Sequence, residues 1–146
     1  MSKLYRFMAL PGQVKWLYLN AALWLIAVKI ALHLLPFDRL RIWLTRSTQP
    51  DGNPQDIKEM RTIILAIERI SQFLASLRIN CLPQALVGHR LLRQQGFDVQ
   101  LRIGVLKNHG DQLTAHAWLE YQGQVVLGAL HNLKQFTVFS SLEIIQ

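Results

Sequence analysis

A chain of 146 residues, 51% apolar and 17% charged, is too apolar for disorder and the right size for one compact domain. A single cysteine excludes an internal disulfide and a cysteine-rich zinc site, which fits a reducing, cytoplasmic setting. The net charge of +7 is uneven: residues 1–46 hold seven Lys/Arg against one acid, Asp38, and the remainder holds nine against eight. A surplus of this kind suits an anionic membrane or an acidic partner. Without a basic cluster, zinc finger or RNA-recognition signature, nucleic acid is not an expected partner.

The apolar stretch from Trp16 to Leu35 predicts a first helix, ended by Pro36. Asn20, Lys29 and His33 interrupt it, and the unbroken part, Ala21 to Val28, is short for a bilayer span of about 20 residues. No small-residue cleavage site follows, so a cleaved signal peptide is not expected. The expected setting is a helix buried in the fold or covered by a partner or membrane surface. Phe37 to Leu44 reads as a short second helix. Residues 45–54, rich in Ser, Thr, Pro, Asp, Gly and Asn, read as a linker. The chain thus divides into an N-terminal helical segment, 1–50, and a core, 51–146, expected to form one unit.

Beyond the linker, Asn53 is a candidate cap for a helix beginning at Pro54, with Asp56 in its first turn. Ile57, Met60, Ile64, Ile67, Ile70 and Leu74 recur at helical spacing and carry it to about Leu77. Asn80 is a candidate cap for the next helix, whose apolar stripe is Leu82, Leu86, Leu91 and Leu92 and whose stop is Gly96. The period then changes to two. Phe97, Val99, Leu101, Ile103 and Val105 predict a half-buried strand, Leu113 to Tyr121 a second, Gln124 to Leu127 a third, and Phe136 to Phe139 a fourth. Helices followed by an antiparallel meander make an α+β domain.

Cys81 falls at the start of a helix, where unpaired backbone N–H groups favour a thiolate. A free cysteine is as readily a small buried apolar residue. His116 lies mid-strand; period two places Thr114, His116, Trp118 and Glu120 on one face and Leu113, Ala115, Ala117 and Leu119 on the other. A core histidine bonded to a backbone carbonyl is the plain alternative. Cysteine at a helix start followed by histidine on an antiparallel strand is nonetheless an arrangement suited to nucleophilic catalysis, the imidazole taking and returning a proton. His33, His89, His109 and His131 share no ligand-like spacing, so no metal is expected, and no nucleotide fingerprint is present. Trp16, Trp24 and Trp43 read as core or interface packing, and Trp118 as a candidate wall of a substrate site.

Asn80-Cys81-Leu82-Pro83-Gln84-Ala85-Leu86, then His89-Arg90-Leu91-Leu92 and Gly96, resembles the cysteine helix of lasso-peptide biosynthesis B2 proteins. Leu101-Arg102-Ile103-Gly104-Val105 and Ala115-His116-Ala117-Trp118-Leu119-Glu120-Tyr121 are similar to that family's histidine strands. Phe136-Thr137-Val138 and Leu34-Leu35-Pro36-Phe37 extend the resemblance over nearly the whole chain. It implies a transglutaminase-like, papain-like core in which the cysteine helix packs on the antiparallel sheet. It also implies a cofactor-independent cysteine peptidase that cuts the leader from a ribosomally made precursor peptide. Such enzymes work with a separate leader-binding protein and an ATP-dependent macrolactam cyclase, and recognise a Thr near the leader's end.

The resemblance assigns Cys81 as nucleophile and His116 as base. It departs at the third catalytic residue, where the family has Asp and this chain has Gly128. Asp111 and Glu120 lie about 13–17 Å from His116 along extended strand, and Asn132 is the nearest polar substitute, since an amide can orient the imidazole of papain-like enzymes. Two other readings stand beside the peptidase: a noncatalytic binding or scaffold protein of the same fold, and an acyltransferase or amidase in which an amine replaces water.

Overall fold

The computed structural model describes residue 6 and residues 8–46 and 56–139. Helix α1 (Gly12–Leu34) and helix α2 (Phe37–Arg46) come first, divided at Pro36. Helix α3 (Ile57–Phe73) follows, then a 3-10 turn (Ala75–Leu77) and helix α4 (Cys81–Gln94). Strands β1 (Gln100–Lys107), β2 (Leu113–Tyr121), β3 (Gln124–Leu127) and β4 (Thr137–Phe139) form one antiparallel sheet in the order β3-β2-β1-β4.

Most boundaries follow local chemistry. Gly96 takes a φ of 88°, a left-handed conformation that ends α4. The start of α3 differs from the reading above. Its cap is Asp56, whose carboxylate accepts from the Lys58 N–H at 3.2 Å. Asp56 therefore stands outside the first turn, and the Asn53–Pro54 start and the linker at 47–54 lie outside the described residues. The first strand begins at Gln100, not Phe97. Phe97 and Val99 are nonetheless sealed at 0% and 1% exposure, because both join the apolar core ahead of the ladder.

One apolar core joins all layers. Ala21, Leu25 and Val28 of α1 pack with Met60, Ile63 and Ile67 of α3, Leu86 and Leu92 of α4, and Leu119 and Leu127 of the sheet. Area removed from water is the principal stabilisation here, roughly 2 kcal/mol for each fully buried aliphatic side chain. Polar ties fix α1 in place: Arg69 donates to the Tyr18 hydroxyl at 3.1 Å, and the Lys29 ammonium donates to the Arg78 carbonyl at 2.9 Å. Arg90 of α4 stacks over Trp24 of α1 at 4.2 Å and Trp43 of α2 at 5.5 Å. Helix α1 is buried on one side only: Tyr18, Ala21, Leu25 and Val28 are sealed, while Trp16, Leu19, Leu23, Ile30 and Leu34 are exposed.

Candidate active site

Cys81 is the first residue of α4 and is half-buried. Asn80 is extended and makes no side-chain cap, and no acidic residue occupies the first turn. The positive end of the helix dipole is therefore not neutralised locally, and backbone N–H groups there suit an anionic sulfur or a developing oxyanion. The Gln84 side-chain amide donates to the Ile79 carbonyl at 3.2 Å, which commits it to holding the chain that enters the helix. The Lys29 bond to Arg78 holds that same approach from α1.

Two contacts fix how α4 lies on the sheet. A Cβ built on Gly88 would stand 2.8 Å from Leu119 and from Leu127, so the helix passes directly over those side chains. Beyond the end of α4, the Phe97 and Tyr121 rings meet edge-on at 5.8 Å. Cys81 lies two turns before the Gly88 crossing, about 10.5 Å along the helix, and His116 three residues before it, about 10 Å along β2.

The imidazole has a definite partner. His116 Nε2 lies 2.7 Å from the carbonyl oxygen of Gly128, so Nε2–H donates to it and, in the neutral ring, Nδ1 keeps its lone pair. Sequence reasoning denies Gly128 any orienting role because it has no side chain; its backbone supplies one instead. Gly128 takes a φ of 84°, and a Cβ there would meet the Ala117 carbonyl at 2.9 Å and Trp118 Cβ at 3.0 Å. Only glycine brings the carbonyl this close without strain. The partner is not Asn132, which caps the 3-10 turn Leu133–Gln135 and whose side chain makes no hydrogen bond among the described residues.

Aromatic rings hold the imidazole on its other sides. Trp118 stacks on it at 6.0 Å between centroids and 17° between planes, and Phe136 lies 5.9 Å away. Trp118 is 2% exposed, so it supports the ring from within the fold. Its indole N–H donates to Glu120 at 3.0 Å, and Glu120 pairs with Arg102 at 3.3 Å. Asp111 pairs with Lys107 at 2.9 Å, so both acids nearest in sequence are engaged elsewhere.

Cys81 and His116 are not joined by a hydrogen bond among the described residues. The Cys81 thiol makes no hydrogen bond among the described residues. The alternation of β2 sends Leu119 toward α4 and His116 to the other face, with Trp118 and Glu120. Beside His116, however, β2 has no β3 partner, because their pairing ends at Leu119 and Leu127.

The remaining histidines offer no alternative centre. Burial, with a further contribution from the Arg93 charge, holds His89 down at about 4 against its usual 6.5, while Asp98 opposes the shift. It is neutral at pH 7. Among the described residues no group of three or more His, Cys, Asp or Glu could hold a metal.

A family model described as the transglutaminase-like superfamily matches residues 22–141. The chain belongs to that superfamily. The match begins within α1 and includes Cys81, His116 and Gly128, so it covers the helix start, the histidine strand and the turn that anchors the imidazole. Comparison with curated proteins and with solved structures found no match. For a transglutaminase-like domain, a cysteine at the start of a helix laid along a histidine-bearing strand is the arrangement available for thiol chemistry.

Proposed function

We propose that this transglutaminase-like protein is a cysteine peptidase that removes the leader from a ribosomally made lasso-peptide precursor. It would act with a separate leader-binding protein and a macrolactam cyclase. The observation that supports the catalytic part is the His116–Gly128 hydrogen bond of 2.7 Å, which orients the imidazole. It leaves Nδ1 as a base with nothing to do structurally. The pathway assignment rests on the resemblance of the cysteine and histidine motifs to the leader peptidases.

In the proposed reaction, closure brings Nδ1 to the Cys81 thiol and takes its proton. Catalytic hydrogen bonds often tighten only when substrate is bound. The thiolate attacks the scissile carbonyl, and the Cys81 N–H supports the oxyanion. The imidazolium then protonates the departing amine, and water, deprotonated by the same nitrogen, releases the leader from the thioester. Gly128 orients the ring as a carboxylate or amide does in related sites, but as a neutral dipole it supports the positive ring less than a carboxylate would. The core peptide leaves with a free N-terminal amine, the group a macrolactam cyclase requires.

One observation favours a second reading, a noncatalytic binding protein of this fold: thiol and imidazole are not hydrogen-bonded in the described structure. Reconstitution separates the two. Wild-type protein, mixed with a lasso precursor and its leader-binding protein, should release leader and core as two hydrolysed products. Cys81→Ala and His116→Ala should each lose at least about two orders of magnitude in rate. No cleavage by the wild type would leave the binding reading; an amine adduct in the product mass would indicate acyl transfer.

A further inference from the structure

Among the described residues, nothing covers the apolar stripe on the outward face of α1. Trp16, Leu19, Leu23, Ile30 and Leu34 are 67%, 51%, 59%, 52% and 76% exposed, and they recur at three-, four- and seven-residue spacing along one side. The opposite side, with Tyr18, Ala21, Leu25 and Val28, is locked in the core. A helix apolar on both sides requires apolar surroundings on both. We infer that this stripe docks α1 in the plane of an anionic lipid surface, with the catalytic domain held beneath it.

Charge selects the occupant. No Asp or Glu occurs in Gly12–Leu34, and residues 1–46 hold seven Lys/Arg against one acid. Partly exposed Lys15 and exposed His33 flank the stripe on one side. A second copy of this chain would bring like charge against this face, whereas anionic headgroups complement it. Trp16, near one end, has the amphipathic ring that settles at headgroup level.

The same contacts decide between lying in a membrane and crossing it. By length and composition α1 could span a bilayer. Doing so would remove Leu25 and Val28 from the core and break the ties of Tyr18 to Arg69 and Lys29 to Arg78. In-plane docking keeps all of them.

Flotation of the full chain with lipid vesicles tests this independently of any peptidase activity. The protein should float with phosphatidylcholine–phosphatidylglycerol vesicles, stay behind with phosphatidylcholine alone, and be released by high salt or alkaline carbonate. Leu19→Glu/Leu23→Glu should reduce the bound fraction at least about tenfold, and Lys15→Glu about fivefold, with the circular dichroism unchanged. If the double variant misfolds, Lys15→Glu alone decides. The proposal is overturned by failure to float with anionic vesicles, by indifference to both variants, by retention in carbonate, or by a dimer in solution that the double variant dissolves.

Discussion

His116 and Gly128 are joined side chain to backbone across 2.7 Å, with the Gly128 carbonyl as the acceptor. It fixes which ring nitrogen bears hydrogen. The neutral imidazole of His116 should therefore show the Nε2–H tautomer in its nitrogen NMR shifts. A neutral ring protonated at Nδ1 would mean that the Gly128 carbonyl does not set the tautomer.

Restoring an acid at residue 128 should not restore a triad. Gly128→Asp must place a Cβ against the Ala117 carbonyl and Trp118 at a left-handed φ of 84°. A cost of about 2 to 3 kcal/mol is expected, together with a loss of any peptidase activity. Urea denaturation measures the first and a cleavage assay the second; a variant as stable as wild type and faster would contradict this geometry.

His89 makes stability sensitive to acid. Its folded value of about 4 lies below the usual 6.5, so protons bind preferentially to the unfolded chain between those two pH values. Its contribution is complete above pH 6.5 and is lost as pH falls toward 4. Between pH 7 and 4.5 the wild type should lose about 2 kcal/mol more than His89→Leu. Equal losses in urea titrations at the two pH values would show that His89 is not buried neutral.

The support beneath the imidazole should behave as one unit. Trp118→Phe removes the indole donor to Glu120 and should cost about 1 to 2 kcal/mol. Combined with Glu120→Gln, the two changes should be non-additive by roughly 1 kcal/mol in a double-mutant cycle. Additive effects would mean that the 3.0 Å bond between them contributes nothing.

The elements were legible because periodicity and punctuation agree. Ile57 to Leu74 repeats at helical spacing, Gly96 ends α4, and β2 and β3 have the bounds that alternation gives. The α+β class follows from the same signals, whereas the transglutaminase-like family was legible only in the resemblance of the cysteine and histidine motifs. Gly128 was not legible as an orienting group, since its contribution is a backbone carbonyl and no residue type encodes one. A glycine standing where an acid was expected, one residue beyond a strand, was the available signal. The exposed side of α1 was hidden as well: Leu19 and Leu25 are alike in sequence, and only packing decides that one is 51% exposed and the other 0%. The Asp56 cap was missed because Asn53 followed by Pro54 is a stronger local start signal.

Alkylation of Cys81 tests the central pairing most directly, because the chain has no second cysteine to confuse the signal. Iodoacetamide should label the wild type rapidly near neutral pH, and His116→Ala should slow labelling at least about tenfold once its base is gone. Equal rates in the two proteins, matching those of an unstructured thiol or slower, would show that sulfur and imidazole do not act together.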